Sequence, residues 1–462
     1  MNVSKQIFIH FSRYPCSCQQ LYDWHSRAGA LERLLPPWEK TEIIRKSDGI
    51  DPGAEVELKM RMGPWGILSI PFEARHVLAE PGRLFEDTQQ RGPFAQWTHR
   101  HIFHEKDGGC QLEDRVEYAL PLQKVLPAFV GRHVEKNLQR MFRYRVDTLR
   151  CDIELHERCR QKPLRLLVSG ASGVLGRDLL PLLTTGGHEV WRLVRRRADT
   201  QNREIFWDPQ HGLLDLQEAP RFDGVIHLAG EYIGLHRWTK QKKENVVKSR
   251  LDGTKLLVNE ISSLPQKPRV FLCASATGFY GDSRVENLTE DYPAGKGFIS
   301  EVCRLWEREA QQAEKAGIRT VMLRFGVGLT PKGGALRRIL DASPLGYIRR
   351  FGGGEQSISW ISGEDMAAAV LHCLSHNIAG PINIVAPEPV SNKNFMAQLS
   401  KITGKPLLFC VSERLLNMVY KEMAAEMLLA STHVSCKKLE ESGFHFRHPN
   451  LETALRSMLG IY

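Results

Sequence analysis

The segment from Leu164 to Gly176 constrains the fold of this chain more than any other. It begins with an apolar run typical of a buried strand and continues into Gly170 and Gly173, after which an amphipathic helix is predicted. A second apolar strand, Glu189–Val194, follows at the spacing of a βαβ unit. The segment therefore predicts a nucleotide-binding turn between a parallel strand and a helix.

Each glycine of this turn has its own physical role. Gly170 permits the tight turn after the strand, Gly173 lets the backbone approach a pyrophosphate, and Gly176 lets the helix pack closely on the sheet. The helix N-terminus adds unpaired N–H groups and a positive dipole end, which bind phosphate. The alternative is an ordinary glycine loop, and the flanking strands favour the binding turn.

The residues after the second strand indicate which cofactor is bound. Arg195, Arg196 and Arg197 stand where a chain that binds NAD usually has an acidic residue for the ribose hydroxyls. Guanidinium groups hold phosphate in a bidentate fork, so the run predicts NADP(H) rather than NAD(H). The alternative for such a charge run is a solvated basic loop.

Composition limits the class of protein. A length of 462 residues predicts two or three domains, and 42% hydrophobic with 25% charged residues is typical of a soluble globular chain. No apolar run reaches the length of a membrane span, and the first residues lack a signal-peptide pattern, so we expect a cytoplasmic protein. The ten cysteines have no paired framework, which predicts reduced thiols and no metal site.

The net charge of +10 raises the question of nucleic-acid binding. The basic residues are dispersed, and their densest cluster, Lys240–Lys243, lies on a predicted helix start. The sequence has no zinc-finger, helix-turn-helix or RNA-recognition signature. We therefore expect no nucleic-acid partner and predict a small-molecule ligand instead.

A charged segment that contains proline, Glu157–Pro163, indicates a domain boundary. We predict one domain over residues 1–158, a second over 163–390, and a helical extension over 391–462 that packs on the second domain. From residue 164 onward strands alternate with helices, as a doubly wound parallel sheet requires.

The first predicted domain has a different pattern. Residues 54–62 and 110–118 alternate apolar and polar side chains, which predicts half-buried strands. Residues 127–156 predict one long amphipathic helix. Its apolar face is expected to contain Phe129, Val134, Leu138, Met141, Phe142, Val146 and Leu149.

The motifs Trp24–Trp38, Gly92–Trp97 and Met141–Arg145 resemble those of the polyketide-cyclase and START-like ligand-binding superfamily. The resemblance implies a helix-grip fold with a cavity between sheet and helix for an apolar small molecule. Most of the tryptophans of this region are expected to pack in the core rather than to contact a ligand. They are Trp24, Trp38, Trp65 and Trp97.

The second region resembles the atypical extended short-chain dehydrogenase/reductases called epimerase family proteins, over residues 164–460. The motifs that carry the resemblance are 170–176, His227–Glu231, Ser249–Arg250, Ser275–Gly281, Leu323–Val327 and Ser359–Ile361. In that family a C-terminal extension matches the segment after Ser391. The fold class expected for the whole chain is α/β, a doubly wound Rossmann domain preceded by an α+β helix-grip, START-like domain.

The resemblance implies a set of contacts to NADP. The pyrophosphate would contact Gly170, Ser172, Gly173, Val174, Leu175 and Gly176. The 2′-phosphate would contact Arg195 and Arg196, and the remaining contacts would be Leu228, Ala229, Asn245 and Arg250, with Val327 near the nicotinamide. For the three apolar residues the alternative is sheet core.

Ordinary members of the superfamily use a tyrosine and, four residues later, a lysine that lowers the tyrosine pKa for proton transfer. Here Ile299 and Cys303 occupy those positions, and a buried hydrophobic role is expected for Cys303. Three hypotheses remain open. Tyr280, with Ser275, acts as a substitute acid in an oxidoreductase or epimerase; the protein senses NADP(H) without turnover; or the first domain binds or delivers an apolar ligand.

Overall fold

The structure is a computed structural model that describes residues 5–62, 68–121, 128–159, 162–234, 237–342 and 346–462. The chain divides into two compact units. The first contains Met1–Arg160 with Thr184–Gly187 and Tyr462, and the second contains Gln161–Leu183 with His188–Ile461. The segment predicted as a C-terminal extension therefore lies in the second unit, apart from its last residue.

The first unit is built on an antiparallel sheet. Its strands are β1 (Gln6–Tyr14), β2 (Thr41–Lys46), β3 (Glu55–Met62), β4 (Leu68–Glu80), β5 (Leu84–Arg91), β6 (Gln96–Lys106) and β7 (Gly109–Ala119). Its helices are α1 (Cys18–Ser26), α2 (Ala30–Leu34) and α3 (Ala128–Arg158). The seven strands pair in the order β1-β7-β6-β5-β4-β3-β2. A curved antiparallel sheet with one long helix is the helix-grip arrangement that the sequence predicted.

Periodicity explains how this unit packs. Along β7 every second residue is buried, as the period of two in the sequence predicts. On α3, Phe142 and Leu149 are fully or almost fully buried and pack with residues of β7. Phe129 is 63% exposed, so its predicted place on the buried face is wrong. At about 100° per residue, a position thirteen residues before Phe142 faces a different side of the helix.

The second unit begins at β8. Its strands are β8 (Arg165–Ser169), β9 (Glu189–Val194), β10 (Glu204–Asp208), β11 (Leu213–Leu214), β12 (Gly224–His227), β13 (Val270–Ala276), β14 (Arg319–Phe325), β15 (Val327–Thr330), β16 (Ile348–Phe351), β17 (Ser357–Ile358), β18 (Trp360–Ser362), β19 (Gly380–Ile384), β20 (Val390–Ser391) and β21 (Leu407–Val411). Its helices are α4 (Val174–Thr185), α5 (Lys240–Ser263), α6 (Phe298–Gln311), α7 (Gly334–Asp341), α8 (Gly363–Ser375), α9 (Asn392–Thr403), α10 (Glu413–Tyr420), α11 (Glu422–Met427), α12 (Lys437–Glu441) and α13 (Leu451–Leu459).

The main sheet of this unit has eight strands in the order β11-β10-β9-β8-β12-β13-β14-β19. Every pair is parallel except β10 with β11 at the edge. The order runs outward from β8 in both directions, which is the doubly wound Rossmann arrangement, so the predicted fold class is confirmed. In such sheets ligands bind at the carboxyl ends of the strands where the order reverses, here β8 and β12.

Burial on both faces explains why the central strands are continuous apolar runs. All four residues of β12 are buried, and so are Leu166 to Ser169 of β8. Trp306 and Ala310 of α6 pack against Phe271 and other residues of β13. After residue 391 a smaller core joins α9 to α13, and β21 pairs with β16, so this helix-rich segment also contains a strand.

Two features of the described residues bear on partners. The basic cluster Lys240–Lys243 begins α5, as predicted. Within it, Lys242 Nζ lies 2.6 Å from Glu231 Oε1, and Lys243 Nζ lies 2.6 Å from Glu422 Oε2. Acidic side chains thus neutralise part of the densest basic cluster. No described helix combines the length and the apolarity that crossing a bilayer requires.

The packing of α3 generates a test of the first unit. We expect Phe142→Ala to lower the free energy of unfolding of this unit by about 3–5 kcal/mol, because it removes a fully buried ring. Phe129→Ala on the same helix should change it by less than about 0.5 kcal/mol. Hydrogen exchange of amides in β6 and β7 under rising urea measures both variants. Equal effects of the two substitutions would contradict the assigned face of α3.

Candidate functional site

The glycine turn connects β8 to α4. Gly170 has φ of +73°, and a Cβ there would lie 2.7 Å from the backbone nitrogen of Ala229 and 2.7 Å from the carbonyl carbon of Leu228. A Cβ on Gly176 would lie 2.5 Å from a carbonyl oxygen of the turn, so its close packing is against the turn rather than the sheet. A Cβ on Gly173 would meet one carbonyl oxygen at 3.1 Å. The fold thus requires glycine at positions 170 and 176, and Gly173 leaves the outer side of the turn uncovered.

That outer side is accessible along most of its length. Three of its residues are exposed and one is half-buried: Ser172, Gly173, Val174 and Leu175. A segment that the sequence analysis missed lies against it, since a Cβ on Gly333 would be 2.7 Å from Val174 Cγ2. In the same segment, Lys332 Nζ lies 2.7 Å from Asp178 Oδ1 on α4. The Lys332-Gly333-Gly334 run, one residue after β15, was the available signal for a second element beside the turn.

A buried polar network fixes the strands where their order reverses. Ser169 Oγ, at the end of β8, lies 2.6 Å from His227 Nδ1 and accepts a hydrogen bond from the Ala229 N–H at 3.3 Å. His227 Nε2 lies 3.1 Å from Thr254 Oγ1 of α5, which also accepts from Trp306 Nε1 of α6 at 2.8 Å. Burial lowers the pKa of His227 to about 3, so its imidazole is neutral. The network thus fixes the carboxyl ends of β8 and β12 relative to α5 and α6.

The other residues predicted to contact a cofactor differ in their surroundings. Val327 is 40% exposed, at the start of β15. Asn245 is exposed on α5 and accepts a hydrogen bond from the neighbouring Gln241. Arg250 lies over the Trp306 ring at 4.9 Å, and its Nη1 donates to a backbone carbonyl 3.1 Å away. Leu228 is half-buried, whereas Ala229 packs on the core of the sheet.

The two arginines predicted to bind phosphate have different environments at the end of β9. Arg195 is exposed. Arg196 Nη2 lies 2.6 Å from Glu204 Oε1, and Arg192 Nη2 lies 2.8 Å from the same atom. Burial acts to raise the pKa of Glu204, but the hydrogen bond from Arg196 and the neighbouring positive charges outweigh it. The pKa of Glu204 is therefore lowered. Arg196 is therefore anchored by a carboxylate, whereas Arg195 projects into solvent.

The two candidate catalytic residues belong to one buried network. Ser275 Oγ donates to Glu307 Oε1 at 2.6 Å. Arg324 binds both oxygens of that carboxylate, at 2.9 and 2.8 Å, and donates to Tyr280 Oη at 2.9 Å. The Tyr280 hydroxyl donates to Asn383 Oδ1 at 2.7 Å. All five side chains are buried. Their hydrogen bonds link β13, α6, β14 and β19 below the carboxyl ends of the strands.

Burial raises the pKa of Tyr280, and the opposing effect of Arg324 is smaller. The hydroxyl therefore keeps its proton at neutral pH. Its residue is only 2% exposed. Delivery of that proton to a substrate would require the hydrogen bond to Asn383 to be exchanged.

The positions of the usual tyrosine and lysine lie at the start of α6. Ile299 and Cys303 are both buried there and pack in one cluster with Phe279 and Tyr280. Burial raises the pKa of Cys303 to about 11, so the thiol stays protonated. Both residues act as core side chains, which agrees with the role expected for Cys303.

The first unit contains a cavity of 720 Å³. Residues of the sheet and of α3 line it, including Phe72, Met141 and two of the four tryptophans, Trp38 and Trp97. Trp24 is 1% exposed and packs in the core as predicted, whereas Trp65 lies outside the described residues. The size and mostly apolar wall suit a small organic ligand.

Sequence reasoning missed a group of ionisable side chains on and directly behind the wall of this cavity. Burial lowers the pKa of His25 to about 4 and shifts that of His101 well below its ordinary value. Burial raises the pKa of Asp87. Burial acts to raise the pKa of Asp114, but the interactions with His101 and His99 outweigh it. The pKa of this carboxyl therefore lies below its ordinary value. The alternation of Trp97, His99 and His101 was the available signal, since it places all three on one face of β6.

Comparisons with known proteins agree with this architecture. Residues 166–385 match the NAD dependent epimerase/dehydratase family, residues 15–146 match polyketide cyclase / dehydrase and lipid transport, and residues 411–458 match a domain of unknown function, DUF1731. The chain is 32% identical to an epimerase family protein of Mycobacterium bovis over 289 residues, which are 62% of this chain and 95% of that protein. It is 31% identical to the human epimerase family protein SDR39U1 over 64% of this chain and 100% of that protein.

Two solved structures are also similar. One is described as the nucleoside-diphosphate sugar epimerase from Corynebacterium glutamicum, with a TM-score of 0.79, 31% identity, and coverage of 98% of this chain and 90% of that one. The other is human SDR39U1, isoform 2, with NADPH, with a TM-score of 0.59, 29% identity, and coverage of 65% of this chain and 100% of that one. The first likeness extends over both units, and the second covers about two thirds of the chain.

The geometry of the turn separates the roles of two glycines. We expect Gly173→Ala to keep a thermal midpoint close to that of the wild type, because its Cβ meets one oxygen at 3.1 Å. The new methyl group would obstruct a phosphate and weaken NADPH binding by about 10- to 100-fold. Gly176→Ala should destabilise the second unit by about 1–3 kcal/mol, because its Cβ would lie 2.5 Å from a carbonyl oxygen. Calorimetric titration and thermal unfolding measure the two effects, and the reverse pattern would contradict these roles.

Proposed function

Because this chain belongs to the epimerase family, we propose that its second unit binds NADP(H) and acts as an oxidoreductase or epimerase on a small, apolar molecule. The observation that carries the proposal is the glycine turn at the point where the strand order reverses. Its outer side is accessible, and α4 begins directly behind it. That combination fits the pyrophosphate of a dinucleotide.

Arg195 supports NADP(H) over NAD(H). It follows β9 directly and is exposed, so its guanidinium group is available to a 2′-phosphate. Arg196 would contribute less, because Glu204 already binds it. The human relative was crystallised with NADPH, which agrees with this preference. When bound, the cofactor supplies or accepts a hydride.

In this proposal the buried network supplies the proton. Tyr280 Oη holds it, Arg324 orients the phenol, and Glu307 in turn fixes Arg324 through both carboxylate oxygens. Ser275 would orient the reacting oxygen of the substrate from the end of β13 after exchanging its bond to Glu307. The proton would reach the substrate once the phenol exchanges its hydrogen bond to Asn383.

A second candidate function is an NADP(H)-responsive binding protein without turnover. The observation that favours it is the internal pairing of both candidate hydroxyls. Ser275 donates to Glu307, Tyr280 donates to Asn383, and both residues are at most 4% exposed. In this alternative the network is a rigid structural part of the site, and ligand binding rather than chemistry is the output.

Cofactor preference is tested by titrating NADPH and NADH into the wild type and into an Arg195→Ala/Arg196→Ala variant. We expect the variant to lose about 10- to 100-fold in NADPH affinity, because a charge-assisted contact to phosphate is removed, with little change for NADH. Arg195→Ala alone should account for most of the loss. Arg197→Ala, which removes the next arginine along the chain, is the matched control and should keep the wild-type preference. Equal affinity of the wild type for both cofactors would contradict the NADP(H) proposal.

Turnover is tested by following NADPH oxidation in the presence of a metabolite extract. If the network acts in proton transfer, Tyr280→Phe should lower the rate by about 10²- to 10⁴-fold while NADPH affinity stays unchanged. Tyr292→Phe is the control, because this nearby tyrosine is 40% exposed. An unchanged rate in Tyr280→Phe would exclude Tyr280 as the acid. Tight NADPH binding without oxidation would favour the second candidate.

A further inference from the structure

The sheet of the first unit brings four ionisable side chains together, three of them on one wall of the cavity and the fourth, Asp114, behind it. Strand pairing sets Asp87 of β5 opposite His99 of β6, and His101 of β6 opposite Asp114 of β7. His99 and His101 are two residues apart on one strand, so they project to the same side. Asp87, His99 and His101 all line the 720 Å³ cavity. The cluster therefore follows from the register of three consecutive strands.

The spacing within the cluster is that of a metal site. The potential ligand atoms of Asp87, His99 and His101 all lie within 4.8 Å of one another. His99 Nδ1 is 3.7 Å from Asp87 Oδ2, and the two imidazole centroids are 3.9 Å apart. A zinc ion holds nitrogen and oxygen ligands at about 2.0–2.2 Å, which separates neighbouring ligand atoms by roughly 3.3–3.6 Å. The separations between ligand atoms would have to shorten by at most about 1.5 Å to complete the coordination.

Asp114 orients the two imidazoles for this purpose. Its Oδ1 lies 3.3 Å from His99 Nε2 and 2.8 Å from His101 Nδ1. The His99 contact is a hydrogen bond that leaves Nδ1 of that ring for a metal, whereas His101 Nδ1 has no hydrogen-bond partner among the described residues despite its short distance to Asp114. A carboxylate behind a histidine ligand fixes the ring and raises its basicity, which is the usual outer shell of a metal site. Asp114 is only 5% exposed, so its carboxylate interacts with the two imidazoles rather than with bulk water.

The charge balance of the cluster also favours a cation. In the part of the chain that the structure describes, neither Asp87 nor Asp114 has a Lys or Arg nitrogen within 4 Å. Arg145 is a half-buried cation nearby, but its Nε donates to the carbonyl oxygen of Leu34 at 3.3 Å, and its guanidinium group lies 5.3 Å from the Phe142 ring. One buried and one half-buried carboxylate, whose ion-pair partners among the described residues are imidazoles, would be stabilised by a bound metal ion.

We propose that Asp87, His99 and His101 bind one divalent transition-metal ion, of the class of Zn²⁺, on the wall of the cavity in the first unit. Two imidazoles and one carboxylate are a donor set that suits zinc and its first-row neighbours rather than Mg²⁺ or Ca²⁺. Three protein ligands leave at least one coordination position directed at the cavity. An oxygen donor of an otherwise apolar ligand would fill it. The site is independent of the proposed cofactor site in the second unit.

The test uses the full-length protein without an affinity tag, stripped with a chelator and dialysed. Titration with Zn²⁺ should show one equivalent bound, and Co²⁺ should give the visible absorption of a four- or five-coordinate site that Zn²⁺ abolishes. Asp87→Asn and His101→Asn should each lower Zn²⁺ affinity by at least about 100-fold. Asp114→Asn should keep one equivalent but weaken it by about 10- to 100-fold, as expected for an outer-shell carboxylate.

His104→Asn is the matched control, because His104 lies on the same strand but is exposed and near Glu113. It should bind Zn²⁺ like the wild type. Circular dichroism and NADPH titration of each variant verify that both units remain folded. The proposal would be overturned if the wild type bound no stoichiometric Zn²⁺, or if folded Asp87→Asn and His101→Asn variants bound it like His104→Asn. The cluster would then be a hydrogen-bonded part of the cavity wall alone.

Discussion

The arrangement of the second unit depends on one steric constraint, the close approach of two backbones where β8 and β12 separate. At Gly170 a Cβ would lie 2.7 Å from the backbone of Leu228 and Ala229, and φ is positive. Only glycine satisfies both conditions without displacing a strand. The approach holds the carboxyl ends of the two strands together, so α4 starts directly behind an accessible turn. The geometry on which the proposed phosphate binding rests follows from this contact.

Buried polar side chains then hold the strands and helices of this unit in place. His227 connects Ser169 of β8 with Thr254 of α5 as a neutral imidazole, and the Arg324–Glu307 pair connects β14 with α6. Buried polar groups are stable only when their hydrogen bonds are satisfied, so each network specifies one relative position of its elements. These two networks therefore hold the elements beneath the proposed site in one arrangement. The hydroxyl of Tyr280 belongs to the second network, so the same geometry supports a catalytic and a non-catalytic hypothesis.

The first unit also contains buried polar side chains, but here they lie beside a cavity. Its sheet lines a mainly apolar cavity, yet Asp87, His99 and His101 lie on the wall, with Asp114 behind the two histidines. A hydrophobic ligand needs no such group. Retaining two carboxylates and two imidazoles in a buried place lowers stability unless they bind one another or an ion. The two proposals thus concern separate chemistry, phosphate binding at the glycine turn of the second unit and metal binding at the Asp87–His99–His101 cluster of the first.

The sequence by itself determined the fold class, the glycine turn and the absence of the usual tyrosine and lysine at Ile299 and Cys303. These features are local: they depend on periodicity, on backbone freedom at single glycines and on residue identity at fixed spacing. The prediction that Phe129 lies on the buried face of α3 was wrong, because its apolar character was given more weight than its position in the helical period, which sets it on a different side from Phe142. The pairing of Arg196 with Glu204, the closure of Ser275 and Tyr280 into one network, and the meeting of Asp87 with His99 were decided only by tertiary structure. Each joins residues from different elements, and strand register and helix packing, rather than sequence distance, bring them within bonding range.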